Sequence, residues 1–396
     1  MKILLLASRL PYPLHNGEDL RVFHFAKYLS QHHELHLLAY DSGLPSAPEV
    51  ACYFSRIHTV ETPTRNGSDH QLMSRLMHSF SPDHMYFFDP RISSGLSHLL
   101  KQDHFDLVWI PAWQMIPYSR DIGEVPVFID IMDDGILELA RELRSCGSLK
   151  EAGLIVKKLL VTYRFERKYF RRAALCCLAS ERDAEVLRWV CPNTKQVVIP
   201  NGVDSEYFKP LGLGEDFPSL VFEGNMSFSP NVDAVLYFCR EILPLIWKQV
   251  PKAKFCIVGK DPVPEIRALA GDRITVTGYV DDVRPYLDRA SVFVCPLRKG
   301  AGIKNKVLQA WAMAKPVVAT SIALGGLRAQ NEHNIVIADG PPAFAQQVVR
   351  LIGDRALREE LGRKARETVV KHHSWEAKVL SLHEALSASD GSPANP

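Results

Sequence analysis

Short apolar runs alternate along this chain with longer stretches whose apolar residues return every three or four positions. The runs have strand length and the stretches helix length. In the first half the strand pattern falls at Lys2–Leu6, Glu34–Leu38, Ile57–Val60, Leu107–Ile110, Val125–Ile129, Leu175–Leu178 and Gln196–Ile199. The helical pattern lies between them, at Asp19–Ser30, Arg91–Lys101, Ile136–Leu143, Leu154–Arg172 and Ser180–Arg188. Strands separated by helices predict an α/β fold with a parallel sheet covered on both faces.

Two turn clusters, Pro200-Asn-Gly-Val-Asp204 and Pro210-Leu-Gly-Leu-Gly214, interrupt this rhythm. It then starts again. Strands are predicted at Leu220–Glu223, Lys254–Val258, Ile274–Thr277, Val292–Cys295, Val317–Ala319 and Asn334–Ile337. Helices are predicted at Asn231–Lys248, Pro264–Ala270, Val283–Arg289, Ile303–Met313, Pro342–Ile352 and Arg355–Val370. The reading is therefore two domains, 1–205 and 206–372, followed by an amphipathic helix over 373–388 with Ser374 as its N-cap. The polar tail 389–396 reads as disordered.

Composition narrows the classes. A chain of 396 residues, 46% hydrophobic and 23% charged, suits two ordinary soluble domains. A net charge of +2 argues against a nucleic-acid partner. The eight cysteines form no Cys-x-x-Cys pair, which argues against zinc, and several lie within apolar runs, as expected in a reducing cytoplasm. The apolar run after Met1 is short and is followed by Arg9 and prolines. It reads as a first strand, not a signal peptide. No stretch has the length of a membrane span.

The segment 291–321 carries the clearest chemistry. It reads as strand, glycine loop (Gly300, Ala301, Gly302), helix, strand. The helix is expected to begin near Ile303, so its free N–H groups and positive dipole end face the loop and make an anion site. Arg298, Lys299, Lys304 and Lys306 surround it with cations, and Lys306 and Gln309 are three apart on one helix side. This suits a diphosphate and an attached ribose. An ordinary strand-to-helix loop with solvated lysines has the same spacing.

The segment resembles the donor-binding helix of retaining glycosyltransferases of family 4. The Ala-x-Ala-x-Gly/Ala-x-Pro-Val-Val tail of that helix stands here as Ala310–Val318. The family's usual Glu-x7-Glu pair does not: Ala301 occupies the first position and Gln309 the second. The Gly-Ala-Gly-Ile-x-x-Lys loop resembles more closely a branch of sugar transferases associated with bacterial exopolysaccharide and exosortase (PEP-CTERM) systems. The resemblance implies the GT-B fold, two Rossmann-like domains facing a cleft, with the helix 373–388 crossing back onto the first domain. It further implies a UDP- or GDP-sugar donor, a glycan or lipid-linked acceptor, no cofactor and no bound metal.

Other loops take roles through the same resemblance. Gly224-Asn-Met-Ser-Phe-Ser-Pro-Asn231 follows the first strand of the second half. It reads either as a helix cap by Ser229 or Asn231, or as a donor loop in which Gly224 and Asn225 approach the phosphates. Gly278, Tyr279 and Val280 stand at the turn that touches the base in the family. A cap for the next helix by Asp281 or Asp282 is the structural alternative. Gly17 lies in a first-domain glycine loop next to donor and acceptor, where His15 and His24 read as packing or surface residues. In Asp130-Ile-Met-Asp-Asp134, Asp133 is a candidate to orient a hydroxyl, with capping of the following helix as the alternative.

Lys306, Arg298 and Asp133 are thus the expected catalytic residues. Gly17, Gly224, Asn225, Gly278, Tyr279, Val280, Gly300, Ala301, Gly302, Ile303 and Gln309 are the expected donor-binding ones. The basic helix 157–172 reads as a solvated face or as a peripheral contact with the inner face of the cell membrane. A non-catalytic sugar-nucleotide-binding partner, suggested by Ala301 and Gln309, and a nucleotide-sugar epimerase remain the alternatives.

Overall fold

A computed structural model describes residues 1–12, 17–41, 48–62, 88–299 and 303–389. Gly300, Ala301, Gly302, His15 and most of the polar tail lie outside the described residues. The chain forms two compact units. One comprises Met1–Pro200 with the chain from Val379 onward, the other Asn201–Lys378.

The first unit holds a seven-stranded sheet. Its strands are β1 (Lys2–Leu6), β2 (Glu34–Asp41), β3 (Arg56–Glu61), β4 (Leu107–Ile110), β5 (Val127–Ile131), β6 (Leu175–Leu178) and β7 (Gln196–Val198). They lie in the order β3-β2-β1-β4-β5-β6-β7, and every pair is parallel. The second unit repeats the plan with β8 (Ser219–Glu223), β9 (Lys254–Val258), β10 (Ile274–Val276), β11 (Val292–Cys295), β12 (Val317–Ala319) and β13 (Val336–Ile337). Its order is β10-β9-β8-β11-β12-β13, again parallel. In both sheets the strand order reverses beside the first strand of the unit. Outside the carboxyl ends of the strands on either side of such a reversal is where ligands bind in open α/β sheets.

The most buried strands are apolar runs because helices cover both faces. All four residues of β4, β6 and β11 are buried. Phe222, Phe293, Trp311 and Phe344 pack in the second core, and Ile110, Ile129 and Phe165 in the first. Each side chain of this size contributes about 1.5–3 kcal/mol by leaving water.

Several boundaries differ from the sequence reading, for local reasons. Strand β5 starts at Val127, after Pro126, which has no N–H to give to a ladder. It continues through Asp130, which reads as polar, because Arg21 forms a buried ion pair with that carboxylate at 2.8 Å. The helix expected from Leu154 starts at Leu149, capped by Ser148 Oγ, which accepts from Glu151 N at 3.2 Å. The helix expected over Asn231–Lys248 starts at Ser229 and contains a π-turn at Phe238–Ile242, just before Pro244 removes one donor from the ladder. A 3-10 segment, Trp113–Asp121, has no period that would reveal it.

Ser374 Oγ accepts from Ala377 N at 3.1 Å, as expected of a cap, and Asp354 accepts from Leu357 N at 2.9 Å. The helix Arg284–Arg289 has Val283 as N-cap with no side-chain cap, although Asp282 Oδ1 accepts from Arg284 N at 2.9 Å. The cap of helix Gly135–Ser145 is Asp134, which accepts from Leu137 N at 2.9 Å, and not Asp133. Neither Ser229 nor Asn231 caps the helix that starts at Ser229. Its N-cap is Phe228, with no side-chain hydrogen bond.

Candidate functional site

In the second unit the strand order reverses between β8 and β11. Beyond the carboxyl ends of these two strands lies a cavity of about 350 Å³. From β8 it takes Glu223, Gly224 and Asn225, and from the next helix start Phe228, Pro230 and Asn231. From beyond β11 it takes Leu297, Lys299, Ile303, Lys304, Asn305, Lys306 and Gln309.

Two helix N-termini meet in this wall. The helix Asn305–Ala312 begins two residues later than the pattern suggested, with Lys304 as N-cap and no side-chain hydrogen bond to its first N–H groups. The helix starting at Ser229 is likewise without a side-chain cap. Uncapped helix starts present N–H donors and a positive dipole end, which favour an anion.

Lys306 reaches back across the cavity floor. Its Nζ donates to Glu223 O at 2.7 Å and to Asn231 Oδ1 at 2.8 Å, and lies 4.2 Å from the centre of the Phe222 ring. An ammonium has three donors, so these two bonds leave one N–H for a ligand. Burial holds the Lys306 pKa below the ordinary lysine value, opposed by the charge of Glu223 and by Cys295. Burial also lowers Lys304, with a contribution from Lys306. The Glu223 carboxyl is pushed up by burial, and Lys306 opposes the shift. An arriving diphosphate would favour both lysines in their charged form.

Backbone geometry makes the floor. Gly224 has φ 154°, and a Cβ there would stand 2.6 Å from Lys306 Nζ and 2.7 Å from the Asn231 amide nitrogen. Gly259, after β9, has φ 146°, and a Cβ there would meet Gly224 O at 1.7 Å. The two loops are joined by bonds from Gly224 N to Val258 O at 3.0 Å and from Met226 N to Lys260 O at 2.8 Å. Only glycine admits this approach.

The other expected residues are distributed as follows. Asn225 lines the cavity, but its Oδ1 is engaged in a local turn, accepting from Ser227 N at 2.9 Å and Ser227 Oγ at 2.8 Å. Arg298 turns away to Asp233, with bonds of 2.7 and 3.1 Å, and stacks 4.4 Å from the Tyr237 ring centre. Lys299, its neighbour, stands in the wall instead. Gly278 has φ 70° and Tyr279 is 72% exposed. Val280 lines a different cavity, of about 610 Å³, with Asp216 and Tyr286.

In the first unit Gly17 opens the helix Gly17–Leu29, whose Asp19 pairs with Arg9 at 2.7 Å. Within Asp130–Asp134, Asp130 is held by Arg21 and Asp134 by its capping bond, which leaves Asp133 as the exposed carboxylate.

Sequence reasoning missed Glu223, Gly259 and the part played by Asn231. Glu223 had a visible signal, an acid ending an apolar strand immediately before glycine. Gly259 had only the same strand-then-glycine spacing after β9. Asn231 Nδ2 donates to Asn225 O at 2.9 Å while Oδ1 accepts from Lys306, so one amide ties both sides of the cavity together.

Residues 217–354 match the family model described as glycosyl transferases group 1. Among curated proteins, the chain is 31% identical over 107 residues to the lipopolysaccharide core biosynthesis glycosyltransferase LpsE of Rhizobium meliloti (strain 1021), which is 26% of this chain and 31% of LpsE. The matched stretches span between 28% and 36% of the length of the curated relatives. Among solved structures, sucrose-phosphate synthase from Thermosynechococcus elongatus aligns over 98% of this chain and 99% of its own, with TM-score 0.67 and 18% identity. Anabaena HepE, solved in complex with UDP and glucose, aligns over 97% and 99%, with TM-score 0.63 and 13% identity. The chain has the GT-B fold, with its two Rossmann-like parallel sheets.

Proposed function

We propose that this protein is a retaining glycosyltransferase of family 4, in the exopolysaccharide-associated branch. It moves a sugar from a UDP- or GDP-sugar to a hydroxyl of a glycan or lipid-linked acceptor in bacterial polysaccharide biosynthesis. One observation carries the reading: two uncapped helix starts and Lys299, Lys304 and Lys306 converge on one cavity at the switch point of the second sheet. The match of residues 217–354 to glycosyl transferases group 1 supports it, as does the UDP in the HepE complex.

In this reading the diphosphate lies between the starts of the helices at Ser229 and Asn305. The bond between the sugar's anomeric carbon and the leaving phosphate oxygen breaks, and negative charge grows on that oxygen. Lys306 and the helix N–H groups stabilise that charge more than they stabilise the bound donor, which lowers the barrier. The acceptor oxygen bonds to the anomeric carbon on the face the phosphate leaves. Its proton passes to the leaving phosphate oxygen, so no side-chain base is needed. Gln309, in the same wall, contacts the ribose with one acceptor oxygen and one NH2 donor. Asp133 orients the acceptor hydroxyl.

A second reading, a non-catalytic sugar-nucleotide-binding partner, is favoured by Gln309, an amide where an acid is usual. Incubating the protein with UDP- and GDP-sugars and membrane extract separates the two. Glycosylated product is expected. Saturable nucleotide binding without turnover would establish the second reading, and a free epimer would point to an epimerase.

Among the described residues, no helix is long and apolar enough to cross a membrane. The proposed place of action is the cytoplasm and, for a lipid-linked acceptor, the inner face of the cell membrane.

A further inference from the structure

We infer that the outward face of the helix Leu149–Tyr169 in the first unit, together with Trp189, is a docking face for an anionic lipid bilayer. It deepens the reading of a membrane-borne acceptor and takes its purpose from that reading, but lipid binding is measured without any transfer reaction.

The helix has two unlike sides. Ile155, Thr162, Phe165, Glu166 and Tyr169 are buried against the unit. The opposite side follows the spacing 149, 153, 156, 160, 164, 167, steps of three and four that keep one face of an α-helix, and Arg171 follows in the 3-10 turn Phe170–Arg172. The first half of that stripe is apolar and exposed: Leu149 is 94% exposed, Val156 44% and Leu160 48%. The second half is Arg164, Arg167 and Arg171, all exposed. Trp189, 73% exposed on the neighbouring helix Glu181–Val190, lies 5.8 Å, ring centre to ring centre, from Tyr163. It stands beside the ring whose OH accepts from Arg167 at 3.0 Å, and so adds an exposed indole next to the basic half.

Charge complementarity selects the partner. Between Lys150 and Arg172 the chain carries eight Lys or Arg and two Glu, one of them buried, while the whole chain is nearly neutral at +2. Positive charge is therefore concentrated in this segment, and Arg164, Arg167 and Arg171 bring it onto the stripe. A nucleic acid would satisfy the arginines but leave Leu149, Val156, Leu160 and Trp189 in water. A bilayer interface accepts both halves: apolar side chains and an indole enter the headgroup boundary, and guanidinium groups meet anionic headgroups. A second copy of the chain would bring the same charges face to face.

The test is co-sedimentation of the full chain with vesicles of phosphatidylcholine alone and of phosphatidylcholine mixed with phosphatidylglycerol. Binding to the anionic vesicles is expected, weakened by salt, with little binding to the neutral ones. The exposed substitution Leu160→Glu and the pair Arg167→Glu with Arg171→Glu should each weaken binding about tenfold or more. Trp189→Phe should remove a blue shift of fluorescence that accompanies vesicle addition. No binding to anionic vesicles, or binding unchanged in all these variants, would overturn the inference. So would a concentration-dependent dimer abolished by Leu160→Glu. Calorimetry with UDP on the same samples keeps the two readings apart. Variants that bind UDP normally but lose vesicles support the lipid face, whereas a wild type that binds UDP and no vesicles sinks that face and leaves the donor site standing.

Discussion

Lys306 is buried deeply enough to lose part of its preference for charge, yet it is anchored by a carbonyl and an amide beneath two helix starts. Its removal should be felt most when charge develops on the leaving phosphate. Lys306→Ala is expected to lower turnover by the equivalent of about 2–4 kcal/mol, with the circular dichroism spectrum unchanged. Near-normal rates would remove Lys306 from the chemistry. Gln309→Glu is expected to retain or tighten donor binding, because a carboxylate accepts both ribose hydroxyls more strongly than an amide does. Strong loss of affinity in calorimetry would contradict the ribose assignment.

Glu166 makes a different prediction at the same scale. It is fully buried, both carboxylate oxygens lack a hydrogen-bond partner, and burial with the nearby charge of Asp134 pushes its pKa to about 9. A native pKa above the unfolded value means that the native state holds a proton the unfolded chain has released. Stability from this group is full below the ordinary glutamate range and is lost as pH rises toward about 9. Glu166→Gln should therefore flatten the fall of Tm with pH and, at pH 8, stabilise the fold by at least one pKa unit's worth, about 1.4 kcal/mol, seen as a higher Tm. A lower Tm at pH 8 in the variant would show that the carboxylate is charged and paired.

At the scale of elements, the sheets were legible because their inner strands are mostly buried on both faces and read as apolar runs. β1, β4, β6, β9, β11 and β12 stand where the pattern put them. The site was legible in part. The spacing of Lys306 and Gln309 placed both on one helix side, and both line the cavity. What was not legible depends on contacts across sequence. Arg298 looked like a phosphate cation until Asp233, 65 residues away, claimed it. Gly259 has no motif, because its role is to let β9's loop pass against Gly224. Gly259→Ala should therefore act on the donor floor: a methyl group 1.7 Å from Gly224 O forces the two loops apart. Loss of nucleotide affinity together with a lower Tm is expected, and unchanged values for both would show that the loops are free to separate.

At the scale of the molecule, the two Rossmann-like units divide the labour in the proposed scheme. The second carries the anion site, and the first carries Asp133 and the lipid-facing helix. The most direct measurement is a crystal structure of the protein with UDP or GDP bound. The account predicts a diphosphate within hydrogen-bond distance of Lys306 Nζ and of the N–H groups that open the helices at Ser229 and Asn305. A nucleotide bound elsewhere, with this cavity empty, would contradict it.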